Sequence, residues 1–352
     1  MKILAIDTSC DETSAAVTVG LSVLSNVVWS QASLHAQFGG VMPSLAKRMH
    51  NERIDWAIDR ALQQAGCGSR DIKALAVTIG PGLAIALEVG INKAKELSEK
   101  WKVPLIPVNH IEGHLLSPLA TVKNKASKQA ENIKFPILGL VVSGGHTELI
   151  LIKEIGKYQI LAKTQDDALG EALDKAARML GLGYPGGAIL EKMAREGKAG
   201  AYPLPLPMSR SAEKNAFSYS GLKTAFWRLT QKIQGTDSQM SKQQICDLAA
   251  SFQSRAFQHL EKVLEQSIKT GDNNSLKELF VGGGVAVNME LRKRLRKLSG
   301  MLGLNIRFPY SDKLVGDNAA MIGIVAGFKI QDSNNMNFGE IDRKPRWSVE
   351  EV

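Results

Sequence analysis

Cysteine is scarce in this chain. Cys10, Cys67 and Cys246 are its only three, far apart and without CxxC spacing, which excludes a disulfide framework and a zinc ribbon and fits a reducing compartment. No apolar run approaches the roughly 18 residues needed to cross a bilayer, so no membrane partner is expected. The opening MKILAID enters a strand pattern at once, with no basic leader, apolar signal segment or Arg/Ser-rich presequence, and a cytoplasmic location is the expectation. There is no GxxxxGK(S/T), and no GxGxxG opens the chain, which disfavours P-loop and dinucleotide-binding readings. Acidic residues are in the minority: 35 Asp and Glu against 44 Lys and Arg leave a net charge of +9. That balance suits a polyanionic partner such as nucleic acid, while many soluble proteins are basic without one. The clusters Arg292-Lys293-Arg294 and Arg296-Lys297 fall on a helical pattern and read as a solvated face.

What is present is a globular balance, 44% hydrophobic and 22% charged, over 352 residues, enough for two ordinary domains. KILAIDTSCDETSAAVTVG is two apolar runs around a polar turn, and PILGLVVSGGHTELILI repeats the object. At an offset of 134, Ile3 meets Ile137, Leu4 meets Leu138, Ser9 meets Ser143 and Thr13 meets Thr147. Each half thus opens with strand, turn, strand. Helix and strand signals then alternate. KRMHNERIDWAIDRALQQAG sets Ile54, Ala57, Ile58, Ala61, Leu62 and Ala65 at helical spacing before Gly66, and CDLAASFQSRAFQHLEKVLEQSI does the same with Phe257, Leu260, Leu264 and Ile268. The expectation is an α/β protein of two duplicated halves, residues 1–134 and 135–328, with mainly parallel sheets and a cleft between them. A helical, loop-rich insertion spans about 165–240, and 329–352 is a polar, peripheral tail.

Four glycine turns follow predicted strands, at 79–82, 143–146, 185–187 and 282–288. Glycine there lets backbone N–H groups approach a phosphate. In two duplicated halves such hairpins point to the architecture of actin, sugar kinases and heat-shock ATPases, with an adenine nucleotide in the cleft.

PVNHIEGHLLSP carries two of the six histidines, His110 and His114, at i and i+4. On a helix they share a face and could hold one ion; a core or capping role is the other reading. Glu112, two positions on, lies about 200° around the helix from His110, which argues against the chemistry of a zinc peptidase. A third ligand should come from another strand end. Asp317 in LVGDNAAMIG is the best candidate, and a helix N-cap is its alternative role.

Together IDTSCDETSAAV, LHAQFGGVMPSLAKRMH, TIGPGL, VNHIEGHLLSP, VVSGGHTEL, GEALDKAARMLGLGYPGG, FSYSGLKT, GGGVAVNMELR and GDNAAMIG, over residues 1–328, resemble the ordered motifs of the TsaD family, the tRNA threonylcarbamoyladenosine transferases once called glycoproteases. The resemblance implies transfer of threonylcarbamoyl from threonylcarbamoyl-AMP to N6 of the adenosine beside the anticodon in tRNAs reading codons that begin with A. It implies one iron or zinc ion on His110, His114 and Asp317, polarising the donor carbonyl. It also places Val141, Val142, Ser143, Gly144, Gly145 and His146 along the adenylate, with Asp174, Gly187 and Asn288 completing the pocket. Asp174 and Glu191 would take the ribose hydroxyls. Asp11 and Glu12, at the first hairpin tip, either face the metal site or form an exposed turn. His35 and His50 are expected to be structural and His259 to lie on the surface.

The family pattern further implies partners: tRNA, a paralogous TsaB-like subunit and a small TsaE-like ATPase. Four places depart from it: Ser44 for a common glutamate, Ile85 for a glycine, Glu191 for an aspartate, and Val315-Gly316 for a small polar pair. None removes an expected ligand; Ile85 and Glu88 fall on the surface expected to meet the paralogous subunit. A small-molecule kinase of the same superfamily would leave the two histidines and Asp317 unexplained as a set. A non-catalytic scaffold would not need them.

Overall fold

The computed structural model describes residues 1–122, 133–208, 216–235, 240–270, 276–331 and 341–352. The parts of the expected insertion and tail at 209–215, 236–239 and 332–340 lie outside them. The first half runs β1 (Lys2–Asp7), β2 (Glu12–Val19), β3 (Ser22–Ser30), a short α1 (Ala32–His35), α2 (Pro43–Ala65), β4 (Ile72–Gly80), α3 (Ala84–Trp101), β5 (Leu105–Asn109), α4 (His110–Leu116) and β6 (Thr121–Val122). The second runs β7 (Ile137–Val142), β8 (Thr147–Glu154), β9 (Lys157–Lys163), α5 (Leu169–Met179), α6 (Gly186–Glu196), α7 (Ser220–Gln234), α8 (Lys242–Thr270), β10 (Glu278–Gly282), α9 (Met289–Met301), β11 (Asn305–Arg307) and α10 (Ala319–Gln331).

Two sheets result, ordered β5-β4-β1-β2-β3-β6 and β11-β10-β7-β8-β9. The offset of 134 residues carries the β1–β2 hairpin onto β7–β8. The sheets are mixed rather than mainly parallel. β1, β2 and β3 pair antiparallel, as do β7, β8 and β9. Links as short as the one from Val19 to Ser22 cannot make the crossover that a parallel pair requires. Parallel pairing is confined to strands reached through helices, β4 and β5 in one sheet and β10 and β11 in the other, and to the β3–β6 contact.

Helix α2 buries Ile54, Ala57, Ile58, Ala61 and Ala65 on the outer face of the first sheet, as the spacing predicts, and stops at Gly66 in the left-handed region. The outer face of the second sheet is covered by a separate core that includes Leu169, Leu173, Phe252, Phe257, Leu260 and Leu264. Between the sheets lie α4 and α10. Their Ile111, Leu115, Met321, Ile322 and Val325 pack with Ile3 and Ala5 from one sheet and Val141, Ile150 and Phe280 from the other. Helix α10 is apolar all round because it is enclosed on all sides. Although it follows the second sheet in the chain, it packs on β1 and β2 of the first, where Gly323 lies against Thr18. Among the described residues no helix is long and apolar enough to cross a membrane.

The described end of the tail is not peripheral. The Lys344 N–H donates to the Ile79 carbonyl at 2.7 Å, and the Gly82 N–H to that of Pro345 at 3.2 Å. Asn109 Nδ2 donates to the carbonyls of Trp347 and Ser348, and the Ile160 N–H of β9 donates to the Glu350 carboxylate at 2.8 Å. Trp347 is 9% exposed, with the ammonium groups of Lys344 and Lys329 over its ring at 4.8 and 5.8 Å. The polar composition of this stretch hid a single large anchor. Trp347→Ala is expected to cost about 3 kcal/mol, read as a lower urea midpoint of unfolding.

His259 is another correction. It is 1% exposed, its Nε2 accepts the Ser218 N–H at 3.1 Å, and its ring meets Tyr219 and Phe217 edge-on. Helix α8 is packed on more than one side, so positions off its main stripe are also interior. Burial, with Lys262 adding to it, pushes the His259 pKa down to about 4. Between that value and the ordinary 6.5 the unfolded chain binds a proton that the fold refuses, so stability rises with pH across this window. His259→Gln is expected to flatten the slope of unfolding free energy between pH 4 and 6.5 relative to the wild type, by up to about 3 kcal/mol over the window.

Candidate metal centre

Helix α4 begins where β5 ends, and Asn109 is the junction. Its side-chain oxygen caps the helix, accepting the N–H groups of Ile111 at 2.8 Å and Glu112 at 3.3 Å, while its amide holds the tail. This fixes the rotation of α4 and sets His110 and His114 on one face, their rings edge-to-face at 4.7 Å. Opposite them stands Asp317. Its Oδ1 is 3.1 Å from His114 Nε2 and 3.4 Å from His110 Nε2. The helix that follows is capped by Asn318, whose side chain accepts the Met321 N–H at 3.2 Å, so Asp317 is not its N-cap.

One ligand atom from each of the three residues falls within 4.8 Å of the others. Two imidazoles and a carboxylate are a donor set for zinc or ferrous iron, and these separations suit donors converging on one ion at roughly 2 Å. The residues fit the ion. Burial lowers the His110 pKa, but Asp317 and Asp7 outweigh it and push it up to about 10. Burial holds His114 below its usual value. Asp317, despite a burial effect in the opposite direction, is kept well below the carboxylate range by the two histidines. One proton therefore sits among the three groups, and an entering dication displaces it. Asp7, at the end of β1, lies 3.8 Å from His110 Nδ1; neither that nitrogen nor Asp7 Oδ1 has a hydrogen-bond partner among the described residues.

Glu112 faces away, as its position in the helix demands. It is fully buried, accepts the Tyr158 hydroxyl at 2.9 Å and pairs with Lys329 at 3.0 Å. Peptidase chemistry through it is excluded. Asp11 is buried rather than in an exposed turn. Burial, then Asp11 and Asp317, hold the Glu12 carboxyl well above its usual range, so the hairpin tip faces the histidine side of the cleft. His50 supports that tip through Thr13 at 2.8 Å and the Cys10 carbonyl at 3.0 Å. His35 bonds Gln31 and the Met42 N–H. Both are structural.

Across the cleft, Val141 and Val142 have fully buried side chains and offer only main chain. Ser143 closes the turn after β7: its N–H donates to the His146 carbonyl at 2.8 Å, and its hydroxyl accepts the His146 N–H at 3.0 Å. Gly144 and Gly145 have open space in front of them. Burial, then His110 and His114, push the His146 pKa down to about 4. Asp174 Oδ1 accepts the N–H groups of Gly186 at 2.8 Å and Gly187 at 2.7 Å, which caps α6. Glu191 accepts the Met289 N–H at 3.0 Å and pairs with Arg195 at 2.6 Å. Asn288 caps α9 and donates to Gln253 at 2.9 Å. Asp174 and Glu191 thus hold the helix starts at Gly187 and at Asn288-Met289, and these residues form one hydrogen-bonded wall.

The glycines after β10 have a different role from the one expected. A Cβ on Gly282 would collide with the His114 carbonyl, and Gly283, at φ +91°, presses on the Val142 carbonyl. They are packing contacts; only Gly284 is open. Sequence reasoning missed Tyr184. Its phenol is raised by burial, then by Asp11 and Asp174, which sets it between the two acidic walls of the cleft. Its only signal was an aromatic ring ahead of Pro-Gly-Gly. Of the departures, Ser44 is exposed on α2 and Ile85 half-buried on α3, while Val315, buried in the core, and Gly316 directly precede Asp317; none replaces one of the three candidate ligands.

Comparisons with known proteins bear on the family and the fold. The family model described as TsaD, tRNA N6-adenosine threonylcarbamoyltransferase, matches residues 22–324. A protein of that name from Trichlorobacter lovleyi is 43% identical over all of this chain and 98% of its own length, and one from Synechococcus sp. is 44% identical over 92% and 86%. Among solved structures, HypF from T. kodakarensis superposes with a TM-score of 0.58 at 13% identity, covering 94% of this chain and 48% of that one. Component A of the Acidaminococcus fermentans (R)-2-hydroxyglutaryl-CoA dehydratase gives 0.53 at 15% identity, over 94% and 99%. Those two likenesses carry the fold, that of the actin-like ATPases and sugar kinases. With its two lobes, its ordered motifs and near-full-length relatives of a single name, the chain belongs to the TsaD family of tRNA N6-adenosine threonylcarbamoyltransferases.

Proposed function

We propose that this transferase takes threonylcarbamoyl from threonylcarbamoyl-AMP to the adenosine beside the anticodon of tRNAs reading codons that begin with A, at a site built on one iron or zinc ion. The observation that carries the reading is the convergence of His110, His114 and Asp317 from two distant parts of the chain. The ion, when bound, supplies Lewis acidity at the donor carbonyl. In the transfer the adenosine N6 bonds to the carbamoyl carbon, the bond to phosphate breaks, and AMP leaves. Glu12, which feels the charge of Asp317 from the hairpin tip, and its neighbour Asp11 are the candidates to accept the N6 proton. Gly144 and Gly145 leave room for the adenylate, and the wall from Asp174 to Asn288 orients it. The free oxygens of Asp174 and Glu191 face the ribose hydroxyls.

A cytoplasmic protein working with a TsaB-like subunit and a TsaE-like ATPase completes the proposal. The α2–α3 surface, where Glu88 bridges Lys47 and Arg343, is the face for the paralogous subunit. Stripping the metal with a chelator is expected to lower transfer to unmodified tRNA at least ~100-fold, with recovery on adding iron or zinc. Metal-free protein transferring at the full rate would overturn the proposal.

A further inference from the structure

Delivering N6 of one adenosine into the cleft obliges the neighbouring nucleotides to rest on its rim. On the second lobe that rim is the outer edge of α5 and α7. There a cavity of about 310 Å³ is lined by Lys175, Arg178, Met179, Trp227 and Gln231. Trp227 is 50% exposed, a large indole surface with nothing over it among the described residues. Asp174 and Arg178 are one turn apart on α5 and share a face, which joins the cavity to the adenylate wall. Arg178 Nη1 also lies 3.9 Å from where a Cβ on Gly39 would stand, in the α1–α2 linker of the first lobe. The cavity is therefore at the mouth of the cleft, where both lobes meet.

Its charge is specific. Lys175 is engaged by Asp167 at 2.5 Å and Glu171 at 2.8 Å, and Asp167 is also held by Lys223. Asp174 is committed to the N–H groups of α6. Arg178 forms no ion pair within 4 Å among the described residues, and beyond the charge it lends to Asp174 one turn before, its guanidinium is left to meet an anion. A half-exposed indole, a thioether, a primary amide and an unpaired guanidinium suit an unstacked base followed by a phosphate, the form in which single-stranded RNA loops are bound. The open indole face beside the guanidinium favours an unstacked base with its phosphate over an acidic protein side chain, which would use the charge alone.

We propose that this pocket holds a nucleotide of the tRNA anticodon loop next to the modified adenosine, its base stacked on Trp227 and its phosphate on Arg178. The proposal rests on the tRNA-transfer reading above. The test uses the full chain with its partner proteins and a fluorescently labelled anticodon stem-loop RNA, in direct binding and in transfer. Trp227→Ala and Arg178→Gln should each weaken stem-loop binding and raise its KM about tenfold or more, Trp227→Phe should retain most of the affinity, and metal content and melting temperature should stay at wild-type values. Unchanged RNA affinity in both variants overturns the pocket, and so does a loss of partner-protein binding with RNA affinity intact. Should the wild type bind the stem-loop without transferring to it, a Trp227→Ala binding defect still supports the pocket while the transfer reading falls.

Discussion

Asp317→Asn is expected to purify with less than about a tenth of the wild-type metal and to transfer threonylcarbamoyl roughly 10³-fold more slowly. The substitution keeps the shape of the side chain and its contact with both imidazoles, removing only the charge. That charge is what sets the protonation of the whole cluster. With it gone, burial dominates at His110, whose pKa falls from its raised value, and two neutral imidazoles remain as donors. A structural ion pair would behave differently: its loss would show as a drop in melting temperature that is largest below pH 6.5 and shrinks as pH rises toward about 10, where His110 gives up its proton in the folded chain as well. Metal content by mass spectrometry, the rate of transfer and the melting curve separate the two. Full metal occupancy in the variant would refute the ligand assignment.

Gly282→Ala is expected to be nearly as damaging, although Gly282 is none of the three candidate ligands. The added methyl group enters the space of the His114 carbonyl and approaches the His114 Cβ at 3.3 Å. β10 is held between β7 and β11, so α4 has to yield. The cost is about 3 kcal/mol of stability, at the upper end for overpacking against backbone, together with a fall in metal affinity of about tenfold or more as one ligand is displaced. Gly284→Ala, with open space before it, should change neither. The alternative, a glycine kept for a phosphate, predicts weaker nucleotide binding with the metal retained. Parallel titrations of metal and of AMP on both variants would decide between them.

The features legible in the sequence were those fixed by local periodicity. Helix α2 with its stop at Gly66, the two hairpins at their offset, and the i,i+4 histidines all depend on neighbours a few residues away. Glu112 is turned from the His110–His114 face, as helix geometry alone demands. What was not legible depends on contacts far along the chain. The antiparallel middle of each sheet follows from how short links constrain pairing, which the alternation of helix and strand signals conceals. The glycines at 282 and 283 look like any phosphate turn until α4 and β7 are seen pressed against them. Residues 341–352 read as polar surface because Trp347 is a lone aromatic anchor, with no apolar stripe to announce it. Asp317 could be read as a cap or as a ligand, and the position of Asn318 removes the cap reading.

The order in which the chain is made gives the packing of α10 and of residues 341–352 a further meaning. Both are synthesised after the second sheet, yet both belong to the first: α10 covers β1 and β2, and Trp347 closes over Asn109. A nascent first half therefore has an uncovered apolar face and an unfinished histidine helix until the last of these residues has emerged. The two halves, alike in plan, cannot be cut apart into self-sufficient units. A product that stops before residue 317 lacks both α10 and Asp317, so a chain terminated there cannot bring the carboxylate to the two histidines.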